Sequence, residues 1–482
     1  MFRSFLGLTA LTIGLIGQAQ TSLADSPKIT WPCLNPPTIA YDIPCDTVLS
    51  DQQSFNCFAW QEFIGVNWPS DTSAPASQFG TPRDMSPVVF ETYKNVHDLL
   101  KPDGSKPEPW EAAKSLPRSL TTSSKHVRVI SRPGKLGNNF DPSSDIDEAA
   151  PAIAWLADRD GNLVWYEIFV NKDEYDYFYT NELYNSINQY QAAKTGQKID
   201  LPMGQLDGQT GAMEFKAAWL TVPDPDKPKW DHYKLSTGVF CTDVGESNQV
   251  CTENTIALVG LHILHKTTSQ PSWTWATFEH IDNAPDLSAV KSGDYLDDYT
   301  FFNPDCEEID IPAACQQEGG PTKTSREPNT PPAYALTDFE GGNPVGECLP
   351  YPIQVAREYS LPSTNEDPIL QTNAAAHELI RQANPDSVYQ YYRLIDVLWN
   401  DSAVNENAGR DVPHAPLSET GFRPNPDAFP VANTVLETYV QSTTCVACHS
   451  NAKIASSDAE RHPTFASDYS FIFGMAGPDP SE

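Results

Sequence analysis

The chain has 482 residues, 42 of them proline, with hydrophobic residues at 39% and charged residues at 20%. That length and composition exclude a disordered chain, and they allow a large core crossed by many stiffened loops. The formal net charge of −33 repels phosphate backbones and anionic bilayers. It argues against nucleic-acid binding and favours a docking partner with a basic patch.

The N-terminus reads as an export signal. Arg3 precedes the apolar run from Phe5 to Ile16, and Ser22-Leu23-Ala24 supplies small residues for cleavage after Ala24. The run is shorter than the roughly 20 residues of a membrane span. The expected mature protein is therefore periplasmic or extracellular and has no membrane span. Loss of Arg3 takes its charge from −33 to −34.

Residues 25–50 are proline-rich and irregular. From Asp51, Phe55, Phe58, Ala59, Glu62, Phe63 and Val66 repeat at helical spacing until Asn67-Trp68-Pro69. Ser86-Pro87 predicts a second helix carrying Val89, Tyr93, Val96 and Leu100 on one face. A polar excursion over 103–150 follows. The period then changes to two, with strands over Ala152 to Ala157 and Leu163 to Val170 joined by a turn at Asp158–Asn162. The Asp-x-Asp spacing in that turn lacks the later glutamate of an EF-hand loop, so it reads as a turn. A tyrosine-rich helix is expected near Asn181 to Lys194. Strands are expected over Ala212 to Val222, Thr255 to Lys266 and Trp273 to Ile281, the last two as a hairpin. Residues 316–336 and 340–370 read as loops. A helix from Asn373 to Ala383 precedes a strand from Val388 to Trp399. The predicted fold class is α+β. A β-rich domain over 25–370, with a few helices and long loops, leads into a C-terminal region over 371–482 containing a small helical module.

Ten cysteines in an exported chain suggest disulfides. Proximity favours Cys33–Cys45, Cys241–Cys251 and Cys306–Cys315, leaving Cys57 with Cys348. The remaining pair lies in VANTVLETYVQSTTCVACHSNAKIA. A helix capped by Asn433 or Thr434 is expected to run through Val435, Leu436, Tyr439 and Val440 into Cys445-Val446-Ala447-Cys448-His449. This is the C-x-x-C-H spacing of c-type haem attachment. On a helical turn Cys445, Cys448 and His449 face one side, so two thiols reach the haem vinyl groups while the imidazole reaches the iron. A zinc ribbon would need a second C-x-x-C, which the chain lacks. A thioredoxin-like pair would follow a strand, whereas a helical pattern precedes this one.

The segment from Asn433 to Ser450 resembles the attachment site of monohaem c-type cytochromes. Asn56-Cys57-Phe58-Ala59-Trp60-Gln61, Leu261-His262-Ile263-Leu264-His265-Lys266 and Trp275-Ala276-Thr277-Phe278-Glu279-His280 are similar to stretches of bacterial exported proteins of the cytochrome c family. That resemblance implies one covalent haem c, with Cys445 and Cys448 as thioether attachments and His449 as the iron ligand. It implies no reaction. The expected function is electron transfer with a basic redox partner protein. The alternative is a haem-dependent oxidoreductase, such as a peroxidase or small-molecule oxidase, with its substrate site in the large domain. Candidates for the sixth iron position are Met475 and a histidine among His262, His265, His280, His414 and His462, or no protein ligand. On a strand, His262 and His265 point to opposite faces. The expected resting state is six-coordinate and low-spin. No catalytic residue is identifiable.

Overall fold

The structure, a computed structural model, describes residues 38–46, 51–112, 129–130, 155–205, 208–242, 250–296, 298–336, 338–340, 343–361, 367–399, 408–411, 430–455 and 465–478. The expected signal peptide, Cys33, His414 and His462 lie outside the described residues.

Helix α1 (Gln52–Val66) forms where the apolar spacing predicts it. Asp51 Oδ1 accepts Ser54 N at 2.9 Å while Ser54 Oγ accepts Asp51 N at 3.1 Å, a reciprocal cap. The second expected helix is broken. A 3-10 turn (Phe90–Thr92) leads into β1 (Lys94–Asn95) and α2 (Val96–Leu99). Glu91 accepts Val88 N, and β1 pairs with β3 (Val164–Val170), so edge pairing overrides helix periodicity. β2 (Val129–Ile130) lies between β1 and β3 in the chain. The tyrosine-rich region contains two helices, α3 (Lys172–Thr180) and α4 (Ser186–Lys194), capped by Asn171 and Asn185. At Asp158–Asn162 the Asp158 carboxylate accepts the amides of Asp160 and Asn162, confirming a turn.

The expected strands appear as β4 (Met213–Val222), β6 (Val250–His265) and β7 (Thr274–His280). β5 (Leu235–Thr242) was not legible, because Ser236, Thr237 and Gly238 interrupt its apolar alternation. After α5 (Leu287–Ser292) and the short pair β8 (Phe339–Glu340) and β9 (Asn343–Pro344) come α6 (Pro368–Ala383) and β10 (Tyr392–Trp399). The sheet runs β1-β3-β4-β6-β5-β2, with β7 also on β6 and β10 on β7. Every pairing in it is antiparallel except β2 with β5. The class is therefore α+β, built on an antiparallel sheet. No helix among the described residues is long and apolar enough to cross a membrane.

The long strand β6 organises the molecule. Its first half pairs with β5 and its second half with β7, while β4 runs along its other edge. Ala218 of β4 pairs with Gly260 and Trp219 with Leu258, leaving Val259 as a bulge. Beyond the bulge one face carries Leu261 and Ile263 of β6, Phe215 and Ala217 of β4, and Phe278 of β7. These join α1 and α6 in a core with Trp60 and Phe63. The opposite face carries Leu264 and Trp275, which join a second core with Tyr175, Phe178, Val446, Tyr469 and Phe473.

The C-terminal chain covers this second face. The expected helix over Val435–Val440 is instead a run of turns. The cause is side-chain bonding to the sheet. Thr434 donates its amide and hydroxyl to Glu279 Oε2 at 3.0 and 2.9 Å, and Asn433 Nδ2 donates to Phe278 O at 2.7 Å. A Cβ at Gly260 would lie 2.7 Å from Val435 Cγ2, so the crossing needs glycine there. The last elements are β11 (Ala408–Asp411), α7 (Cys445–His449) and β12 (Phe465–Ser467), with a 3-10 turn over Phe471–Met475. The expected boundary at 370 falls inside α6, and Trp31–Glu482 forms one compact unit.

The disulfide framework differs from the proximity pairing. Cys315 bonds Cys348 across 33 residues, and Cys306 and Cys45 are thiols. This overturns Cys306–Cys315, Cys57–Cys348 and Cys33–Cys45, because folding brings distant loops closer than chain neighbours. Cys57 and Cys251 are also disulfide-bonded. Cys251 sits opposite Cys241 in the register of β5 and β6, as its expected pairing requires.

Candidate functional site

A cavity, partly open to solvent, lies between the second sheet face and the C-terminal chain. Four strands form its floor. Ile168, Lys216, His262 and Thr277 lie in one cross-strand row, and Glu214, Leu264 and Trp275 in the next. The other wall holds Val431, Leu436, Glu437, Thr443 and Thr444, then Cys445, Cys448 and His449, and finally Phe471, Ile472 and Met475.

Cys445, Cys448 and His449 therefore meet at one cavity, as the helical spacing predicts. α7 is held by Cys448 N donating to Thr444 O at 3.2 Å and Ser450 N to Val446 O at 2.9 Å. Both cysteines of the motif are thiols. Burial pushes the Cys445 thiol well above its ordinary value, and the Glu437 carboxylate adds to the effect, so it stays protonated. The His449 Nδ1 lies 2.7 Å from the Tyr469 carbonyl. Only an Nδ1–H can donate there, so that tautomer leaves the lone pair on Nε2, where a metal ligand needs it. The imidazole also lies edge-on to Phe471 at 5.0 Å and 6.2 Å from Trp275, both cavity residues.

Of the described candidates for a second ligand, two line the cavity: Met475 and His262. His265 does not. It lies on the other face, fully buried, with Nδ1 2.5 Å from Glu62 Oε1 and Nε2 2.7 Å from Thr210 O. It is a satisfied structural histidine; burial of the Glu62 carboxyl raises that group above its usual range, and His265 opposes the rise. His280 is buried as well. It stacks on Tyr233 at 3.7 Å, and desolvation drives its pKa down to about 3.

Three features were not singled out from sequence. Glu437 Oε2 lies 3.3 Å from His262 Nε2 at the cavity, and both are largely shielded from solvent. Lys216 and Glu214 add a cation and a carboxyl to the floor. The Trp275 indole N–H is buried with no hydrogen-bond partner among the described residues. Strand alternation from His262 would have flagged Lys216 and Thr277, given the register. Glu437 carries no such signal.

The donor set fits a flat, largely apolar group that carries a few acceptors. The apolar residues Leu264, Trp275, Leu436, Phe471 and Ile472 suit a porphyrin face. Lys216 and the orphaned Trp275 N–H suit carboxylate side arms. Among the described residues no three His, Cys, Asp or Glu side chains are grouped to hold a bare metal ion. No protein-family model, curated protein or solved structure matches the chain.

Proposed function

We propose that the chain binds one covalent haem c in this cavity, through thioethers at Cys445 and Cys448 with His449 on the iron, and serves in one-electron transfer. The observation that carries this reading is the convergence of both thiols and a Tyr469-tethered imidazole on one largely apolar cavity. The haem would supply a one-electron couple whose potential the surroundings tune. His449 is oriented by Tyr469, and apolar side chains make up much of the cavity lining. Met475 and His262 line the same cavity, and either would be available as a second iron ligand. Periplasmic or extracellular placement is part of the proposal, supported by the N-terminal sequence and by the disulfide Cys315–Cys348. The net charge supports a basic redox partner.

The second reading, a haem-dependent oxidoreductase acting on peroxide or another small molecule, is favoured by the His262–Glu437 pair at 3.3 Å. An imidazole beside a carboxylate can take a proton from a small protic ligand and return it. The resting ferric spectrum separates the two. A low-spin spectrum that changes in Met475→Ala or His262→Ala supports the carrier. A high-spin spectrum with rapid reaction on mixing with peroxide, slowed in Glu437→Gln, supports the enzyme.

A further inference from the structure

Beneath His449 lies a buried device that the haem motif does not explain. The Tyr469 carbonyl that meets His449 Nδ1 belongs to two consecutive left-handed residues, Asp468 at φ 55° and Tyr469 at φ 64°. Neither is glycine, and each such residue costs of order 1 kcal/mol or more unless its surroundings enforce it. Here they do. The Asp468 carboxylate takes Lys266 Nζ at 2.5 Å and the Leu201 amide at 2.7 Å, and the Asp468 carbonyl takes the Trp273 indole N–H at 2.8 Å. The side chains of Lys266 and Asp468 are both fully buried. Lys266 also meets Asp200 at 2.5 Å. An ion pair removed from water gains little net stability, so its retention calls for another reason.

We propose that Lys266 and Asp468 are positioning residues for the iron ligand: their ion pair locks the Asp468–Tyr469 turn, which aims the Tyr469 carbonyl at His449 Nδ1 and fixes the imidazole's tautomer and orientation. This rests on the haem reading and adds its outer layer of control. The chain of contacts runs from the end of β6, through the turn after β12, to α7. It therefore ties the ligand to the rigid sheet rather than to the loop that carries it. Burial raises the Asp468 carboxyl to about 6, with Lys266 opposing the rise. Removing Lys266 would therefore favour a neutral Asp468 and a slack turn. Outer partners of this kind are typically worth about 10–100-fold in ligand affinity.

The test uses the full-length protein with Lys266→Met, Asp468→Asn, the double variant, and Lys266→Arg as the conservative rescue. In haem-loaded protein, acid displaces His449 at a midpoint read from the ferric spectrum. That midpoint should rise by about 1–2 pH units in Lys266→Met and Asp468→Asn, the equivalent of 10–100-fold. Lys266→Arg should restore part of it. In Cys445→Ala/Cys448→Ala protein, which carries no haem link, nitrogen NMR of His449 should show the Nδ1–H tautomer with Lys266 present and a mixture without it. The double variant removes both partners of the pair at once, leaving the buried carboxyls of Glu174 and Glu214 nearby, and guards against loss of fold. An unchanged midpoint and unchanged tautomer in folded variants would overturn the proposal. Failure of the wild-type chain to take up haem would instead overturn the haem reading, and the NMR arm would still decide the role of Lys266.

Discussion

The two faces of the central sheet are built from the same strands and end in opposite conditions. On one, Phe63 stacks on Phe278 at 4.3 Å and meets Trp60 at 5.3 Å, and α1 and α6 close over them. On the other, Glu214, Lys216, His262 and Thr277 interrupt the apolar rows, and the C-terminal chain bridges over a cavity instead of filling it. Polar side chains on an inward face of a sheet work against burial unless they find partners, as His262 does in Glu437 at 3.3 Å. Cys445, Cys448 and His449 line the cavity on this more polar face.

The packed face should hold the larger share of stability. Phe63→Ala, at a fully buried ring, should lose about 3–5 kcal/mol in denaturant unfolding. A loss below about 1 kcal/mol would break the comparison.

Much of the packed face was legible in sequence. The apolar period of α1 and the alternation of β4, β6 and β7 depend on neighbours in the chain. The five-residue haem motif was legible because its chemistry dictates three residue types at fixed spacing. The cover of the cavity face was not. The turns at Asn433–Glu437 depend on Glu279 and Gly260, more than 150 residues away, and they replace a helix that local spacing favours. The opposite orientations of His262 and His265 followed from alternation. Which of them faced the site depended on where the C-terminal chain came to lie. The pairing of Cys315 with Cys348 likewise depended on loops that only the fold brings together.

Glu279 sharpens the comparison because it ties the cover to the sheet. It binds Arg357 and Arg393 as well as Thr434. Its burial opposes ionisation, but the two arginines prevail and hold its pKa at about 2. Glu279→Gln should cost about 3 kcal/mol, because it takes the carboxylate away from the buried Arg357 guanidinium and the partly buried Arg393. The sign with pH follows from the depressed value. The carboxylate's stabilisation is complete above the unfolded value of about 4.3 and is lost as pH falls toward 2. Unfolding midpoints from pH 6 to pH 2 should drop more steeply in the wild type than in Glu279→Gln. Parallel curves would remove Glu279 from this role.

A smaller effect is expected on the cavity floor. Leu264→Ala should cost about 2 kcal/mol or less in haem-free protein, since the deleted atoms border space that is already empty. The cost should grow in haem-loaded protein, where the same atoms would have a partner. Equal costs in the two forms would mean that Leu264 does not touch the bound group.

The central claim is that Cys445, Cys448 and His449 hold a covalent haem in this cavity. Its most direct measurement is the intact mass of the denatured chain, produced with a haem-attachment system, for wild type and for Cys445→Ala/Cys448→Ala. The account predicts one added haem per wild-type chain and none in the variant. A wild-type chain of unmodified mass, or one that carries zinc at these thiols, would contradict it.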